Sequence, residues 1–420
     1  MAATVVQPIS SLYVHVPFCA HKCEYCAFYS EASSGDVTNR YVAALVRELE
    51  LVAPDLKPQT VFFGGGTPSI LNLRQWEQIL RTMDKLNLLG AAEWTVECNP
   101  ATVSMDKAKL LRDFGVNRVS MGVQSLDEKL LDRLGRIHSR EQVFKSFDTL
   151  RAAGFDILNV DLMFAIPGQT MAIWRATLDE ALALGSEHLS CYEVIYEQDT
   201  PLFAQLQAGE FDVDEDLACD MYEELIERSA AAGFVQYEIA NFAKNPELET
   251  RDAKSSSSRR REEADSTNVE PVRLLTSSAT STTDITSQAC KHNVNYWRGG
   301  DYYGLGPSAT GYVRGVRTRN WSNTQMYCEQ IEKGNRAFES REELPPLKRA
   351  GETAAFGLRM NAGWPFADFE RVTGFDLRRE WAGDMKSLTE RGWAELRAER
   401  FQLTRQGLRF ADAAAEVFLR

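Results

Sequence analysis

Over residues 12–240, short apolar runs alternate with longer amphipathic stretches. The runs are "LYVHV", "TVFFG", "WTVEC", "RVSMGVQ", "ILNVDLMF" and "HLSCYEVIY". Each is rich in β-branched or aromatic residues and stops at a turn or polar residue, as buried strands do. Between them lie "RYVAALVRELELVA", "LRQWEQILRTMDKL", "SMDKAKLLRDFG", "SREQVFKSFDTLRAAG" and "TMAIWRATLDEALALG", which read as helices. Several open on Ser, Thr, Asn or Asp and close on Gly, the residues that cap helix ends. Strand and helix repeated six times predict an α/β fold, a parallel sheet with helices outside. Six units make a partial (β/α)6 barrel, and in such folds the loops at the C-terminal strand ends carry the chemistry.

The alternation breaks at residues 245–289. "SSSSRRREEADSTNVE" and "TSSATSTTDITS" are Ser/Thr-rich, mixed in charge and free of aromatics. Such composition buries too little apolar surface to order itself, so a disordered insertion is expected there, ending a barrel of residues 1–244. Order resumes at "CKHNVNYWRGGDYYGLGPSATGY", and residues 290–339 are expected to pack on the barrel. A smaller, mainly helical domain should fill residues 340–420. Its tail, "GWAELRAERFQLTRQGLRFADAAAEVFLR", reads as two strands and a helix capped near Thr404, a winged-helix-like unit for packing or docking.

Composition narrows the class. With 420 residues, 44% hydrophobic and 25% charged, most of the chain should be globular. A net charge of −13 argues against general nucleic-acid binding, which needs clustered Lys and Arg. Eight cysteines are too few for a disulfide scaffold, and three of them fall within residues 19–26. That favours a reducing compartment and a metal or catalytic use. "MAATVVQPIS" lacks the basic region and apolar run of a signal peptide, and no apolar run approaches the ~18 residues of a membrane helix. A cytoplasmic protein is expected, touching membranes only through partners.

The clustered cysteines stand in "FCAHKCEYCAF": Cys19, Cys23 and Cys26, spaced CxxxCxxC. They follow a strand, in the first loop of the active face. Zinc is one reading, with His15 or His21 as fourth ligand. A four-iron cluster with one iron left open is the other, since soft thiolates select such clusters. In "TVFFGGGTPS", Gly64, Gly65 and Gly66 end a strand and let backbone approach a ligand closely, though no P-loop or GxGxxG follows. The remaining strand ends carry Glu97, Gln124 and Asp161, and Arg136 in "RLGRIHS" has the reach for a bidentate carboxylate contact. Each alone also reads as a polar residue bonded to the scaffold or in a surface ion pair. Under one fold they share one rim.

With Tyr25 before the third cysteine and "LYVHVPF" before the first, the CxxxCxxC stretch resembles the radical S-adenosylmethionine superfamily. Joined by "GGGTPS", "VECNP", "GVQS", "LGRIHS" and "DLMFAIPGQT", it is similar to the branch around oxygen-independent coproporphyrinogen III oxidase. Within that branch "KHNVNYW" resembles the HNxxYW motif of the HemW heme chaperones. The resemblance covers most of the chain outside residues 245–289. It implies a [4Fe–4S] cluster on Cys19, Cys23 and Cys26, with S-adenosylmethionine chelating the open iron. It also implies that Gly65, Gly66 and Thr67 meet the amino group of S-adenosylmethionine, and that Tyr13, Tyr25, Glu97, Gln124, Arg136 and Asp161 contact that molecule. The oxidases typically continue CxxxCxxCxC where this chain has Phe28, and begin with a longer extension where only twelve residues precede Tyr13. Both departures agree with the chaperone branch.

Residues His292, Asn293, Tyr296 and Trp297 carry a second expectation. A neutral imidazole is a normal heme ligand, aromatics can cover a porphyrin face, and Arg298 can pair with a propionate. From the residues alone the segment reads first as a bonded turn with core aromatics. The resemblance implies heme binding there, with His292 or Cys290 as iron ligand. It further implies a heme chaperone without oxidase activity, handing heme to recipient apo-hemoproteins such as respiratory cytochromes. The alternative is a radical enzyme that oxidatively decarboxylates coproporphyrinogen III. A zinc-stabilised barrel with a binding role is the third reading. Monomer and homodimer both stay open.

Overall fold

The computed structural model describes residues 7–245 and 287–419. The expected insertion at 245–289 and the N-terminal stretch therefore lie largely outside the described residues. All six expected strands form: β1 (Ile9–Val16), β2 (Leu56–Gly65), β3 (Glu93–Cys98), β4 (Arg118–Gln124), β5 (Ile157–Phe164) and β6 (His188–Glu193). Each pairs in parallel with the next in chain order. The helices that cross between them are α1 (Gly35–Val52), α2 (Leu73–Lys85), α3 (Met105–Asp113), α4 (Glu128–Arg133), α5 (Arg140–Ala152) and α6 (Met171–Ala183). A further helix, α7 (Glu215–Ala231), follows β6.

Local chemistry accounts for these boundaries. Asn72 and Gln75 form a reciprocal capping box at the start of α2, and Ser139 and Gln142 do the same for α5. The inward face of α2 buries Trp76, Ile79, Leu80 and Met83. Trp76 meets Phe63 of β2 with ring centres 5.2 Å apart. Full burial of such side chains is worth roughly 1.5–3 kcal/mol each.

The sheet has nine strands rather than six. Beyond β6 lie β7 (Phe234–Gln236) and β8 (Asn241–Lys244), and β8 runs antiparallel to β6. At the opposite edge β9 (Tyr303–Leu305) runs parallel to β1. Strands of three or four residues are too short to show a period in sequence, so the six apolar runs do not include these edges. The sheet is linear in its pairing, an incomplete barrel with helices outside.

The segment after residue 300 is tied to α1 by one buried carboxylate. Glu48 is 0% exposed and accepts from Gly306 N at 2.9 Å, Tyr327 Oη at 2.8 Å and Asn320 Nδ2 at 3.2 Å, with Arg336 Nε at 3.4 Å. Further on, a separate core gathers Trp364, Phe369, Trp381, Phe401 and Phe418. It joins helices such as Pro346–Gly357 and Ala382–Glu390 to three antiparallel strands, Trp364–Pro365, Arg400–Leu403 and Ala394–Leu396 in that order. Among the described residues no helix is long and apolar enough to cross a membrane.

Candidate functional site

The C-terminal ends of β1 to β6 surround a cavity of about 480 Å³. Its first wall is the cysteine loop. The two-residue strands Phe18–Cys19 and Glu31–Ala32 pair in parallel and close the loop at its base. Its tip is pinned on both sides: Glu24 N donates to Leu134 O at 3.0 Å, and Leu202 N donates to Glu24 O at 2.9 Å. Cys19, Cys23 and Cys26 all line the cavity, half-buried.

The glycine turn lies directly beneath. Gly66 N donates to Val16 O and Thr67 N to Phe18 O, at 2.8 and 2.7 Å. Thr67 Oγ1 sits 3.5 Å from Cys19 Sγ. Gly65 has φ +102°, and a Cβ there would fall 2.4 Å from the His15 ring. Only glycine allows this approach. His15 itself is buried and engaged: Nε2 donates to Tyr29 O at 2.9 Å, so Nδ1 accepts from Tyr13 Oη at 3.0 Å. It is no free metal ligand. Tyr13 acts from behind the turn and is not a lining residue, whereas His21 is exposed on the wall.

Glu97 and Gln124 near the ends of β3 and β4 face the cavity, with Asp161 three residues before the end of β5, together with Tyr25 and Arg136. Glu97 accepts from Gly65 N at 3.2 Å. Asp161 accepts from Asn159 Nδ2 at 2.6 Å and Ser120 Oγ at 3.1 Å. Burial pushes the Glu97 carboxyl up to about 8, helped by the charge of Asp161, and burial pushes Asp161 up to about 6. Arg136 donates from Nη2 to Gly122 O at 2.6 Å and from Nη1 to Cys23 Sγ at 3.4 Å. Gln124 takes φ +65° at the irregularity between Gly122 and Gln124, which turns the strand end toward the cavity.

A pH prediction follows from the two raised carboxyls. Each binds its proton more tightly folded than unfolded, so the pair's contribution to stability is full below the ordinary carboxylate range and is lost as pH rises through about 6 and about 8. The melting temperature of the metal-free chain should fall between pH 5 and 9, and Glu97→Gln should flatten the upper part of that window. A profile unchanged by that substitution would refute the assignment.

Several lining residues escaped the sequence reading. Tyr192 and Glu193 end β6, so the strand-end rule that selected Glu97 selects them equally. Ile195 and Glu197 follow in the next loop, Ile137 beside Arg136. The cavity mouth carries an apolar set among charged residues: Phe28 is 68% and Ile195 66% exposed, with Ile137 and Tyr192 also open, beside exposed Lys22, Glu193 and Glu197.

The HNxxYW residues lie elsewhere. They form α8 (Lys291–Trp297), whose first backbone donors, Lys291 N and His292 N, both reach the Glu93 carboxylate at 2.9 Å. Glu93 begins β3 and Cys98 ends it at the cavity, so this capping site sits at the opposite end of the barrel. His292 is 1% exposed and its ring stacks on Phe62 at 5.3 Å. Thr60 Oγ1 donates to Ser11, so it accepts from His292 Nδ1 at 2.9 Å. Nε2 is then an acceptor, and Tyr296 Oη donates to it at 2.7 Å. Burial lowers the imidazole to about 3 and keeps it neutral. Asn293 is half-buried on the helix, and Trp297 packs on Phe356 at 6.4 Å. Arg298 donates to Gly363 O at 2.7 Å, and Cys290 lies 3.4 Å from Glu93 with its thiol pushed up to about 12 by burial.

The donor set fits a cluster better than a lone ion. Among the described residues no group of three or more His, Cys, Asp or Glu side chains converges on a single-ion site. A four-iron cluster takes each thiolate at a different iron and suits three thiols spread along one wall. Arg136 beside Cys23 would compensate the negative charge.

Residues 13–181 match the radical SAM superfamily and residues 344–410 the HemN C-terminal domain. The heme chaperone HemW of Bacillus subtilis is 31% identical, the match covering 98% of this chain and 99% of that protein. HemW of Escherichia coli is 30% identical, covering 98% of each. The mitochondrial radical S-adenosyl methionine domain-containing protein 1 of Danio rerio is 31% identical over 87% of this chain and 78% of its own. Among solved structures, coproporphyrinogen III oxidase (HemN) of Escherichia coli superposes with a TM-score of 0.77 at 21% identity, covering 98% of this chain and 90% of that one.

Proposed function

This chain belongs to the HemW heme-chaperone family within the radical SAM superfamily, and on that premise we propose that it carries heme to recipient apo-hemoproteins, respiratory cytochromes among them. Its setting is the cytoplasm, with membrane contact only through partners. Cys19, Cys23 and Cys26 would hold a [4Fe–4S] cluster and leave one iron for S-adenosylmethionine. When bound, the cluster supplies single-electron chemistry to that ligand. The chain's own residues do the positioning. Gly65, Gly66 and Thr67 offer a tight turn, Asp161 offers negative charge and Glu97 a carboxyl oxygen to a cationic ligand, and Gln124, Arg136 and Tyr25 complete the wall. Tyr13 braces the turn through His15. The reading is carried by the convergence of thiols, glycine turn and paired carboxylates on one cavity, in a chain alike to HemW along its whole length. Phe28, where the oxidases carry a further cysteine, supports a chaperone over a decarboxylase.

Heme is proposed at the segment of His292, Asn293, Tyr296 and Trp297. Ligation by His292 requires that Tyr296 release Nε2, because its hydroxyl occupies the lone pair iron needs. A heme titration of the anaerobically reconstituted chain tests this. Wild type should bind saturably, His292→Ala at least tenfold more weakly, and Tyr296→Phe more tightly because Nε2 is freed. Unchanged affinity in both variants would remove heme from this segment. No saturable binding in wild type, or turnover of coproporphyrinogen III with S-adenosylmethionine and reductant, would overturn the chaperone reading.

A further inference from the structure

We propose that Arg136 tunes the cluster: its guanidinium donates an N–H···S hydrogen bond to the Cys23 sulfur and raises the reduction potential of the iron–sulfur centre held there. The inference rests on the cluster reading above and goes beyond contact with S-adenosylmethionine.

The geometry behind it is built from two interlocked loops. Glu24 follows Cys23 in the chain, and its N–H is bonded to Leu134 O at 3.0 Å. Arg136 stands two residues beyond Leu134. Gly135 between them takes φ +67°, and a Cβ there would lie 3.1 Å from Glu24 Cγ. The loop bearing the arginine is thus registered on the loop bearing the thiol. The side chain is fixed at its far end as well, because Nη2 donates to Gly122 O at 2.6 Å. That leaves Nη1 aimed at Cys23 Sγ, 3.4 Å away. Nε is buried and has no partner among the described residues, a donor left over for a bound carboxylate. A planar fork with separate donors can serve backbone, thiolate and ligand together, which a lysine cannot.

Reduction adds one electron to the cluster, and the negative charge spreads onto its thiolate sulfurs. A cationic donor in a water-poor wall stabilises the reduced form more than the oxidised form. Hydrogen bonds to the sulfurs are among the factors that set cluster potentials. Lys22, the other nearby cation, is exposed on the wall and screened by water.

The test is an EPR-monitored redox titration of reconstituted wild type and Arg136→Met, without S-adenosylmethionine. The variant should reach half-reduction at a more negative potential. At fixed potential its reduced-to-oxidised ratio should drop about tenfold, on the order of 59 mV for one electron. Wild type grown with ¹⁵N-arginine should also show nitrogen coupling to the reduced cluster by ENDOR, which decides the matter even if Arg136→Met fails to load iron. An unchanged potential in a loaded variant, or no ¹⁵N coupling in wild type, overturns the inference alone. Absence of iron and acid-labile sulfide from wild type overturns the cluster reading and this inference with it.

Discussion

Replacing Cys23 with serine is expected to strip the chain of nearly all its cluster iron while leaving the barrel folded. Three thiolates have no spare, and the other five cysteines stand too far out to substitute: none but Cys98 lines the cavity, and Cys98 is buried at the end of β3 with its thiol held up by burial. A serine hydroxyl is a hard, weakly acidic ligand and poorly matched to iron in a sulfide cluster. The fold should survive because the loop is held through backbone. Glu24 N and O keep their bonds to Leu134 and Leu202, and the strand pair at the loop base does not involve the sulfur. After anaerobic reconstitution, wild type should hold about four irons per chain and absorb broadly near 400 nm. Cys23→Ser should show neither, with far-ultraviolet circular dichroism unchanged. Cys219→Ser, in α7 outside the cavity, is the control and should load like wild type. Full iron in Cys23→Ser would sink the three-thiolate site.

The second large effect lies far from the chemistry. Glu48→Ala should cost about 3–5 kcal/mol, the loss typical of breaking a buried charged network from one side. Alanine removes the acceptor for Gly306 N, Tyr327 Oη and Asn320 Nδ2 and leaves Arg336 without its carboxylate. The orphaned donors are buried, so water cannot replace the lost oxygens cheaply. Glu48→Gln keeps the shape and one carbonyl acceptor and should lose less. Urea unfolding of the metal-free chain measures both. A Glu48→Ala midpoint equal to wild type would show that the segment after residue 300 does not depend on this tie. The site should feel the change too, because β9 in that segment pairs with β1, which leads into the cysteine loop.

Helix caps, strand runs and the cysteine spacing were legible because their causes are local. The Asn72 and Ser139 boxes need only residues within one turn, and β1 to β6 announce themselves as separate apolar runs. The strand-end rule also placed Glu97, Gln124 and Asp161 on one rim, since chain direction along a parallel strand is itself a sequence property. It stopped short at Tyr192 and Glu193 only because it was applied to fewer strands than qualify.

By itself, then, the sequence determined an α/β barrel of six strand–helix units with three thiols in its first loop, because periodicity, capping and spacing act over a few residues. Only the tertiary structure decided which nitrogens are free. His15 and His292 looked alike as ring donors in the chain, yet each is buried with both nitrogens engaged, one by a tyrosine on its own element (Tyr13, Tyr296) and the other by a residue distant in sequence (Thr60 for His292) or from the cysteine loop (Tyr29 for His15). Arg136 looked like a carboxylate binder, and folding turned one arm of it onto Cys23. Burial is a sum over neighbours distant in sequence, and the bonds joining Thr60 to His292 and Arg136 to Cys23 span more than a hundred residues, so no local pattern encodes the full pairing.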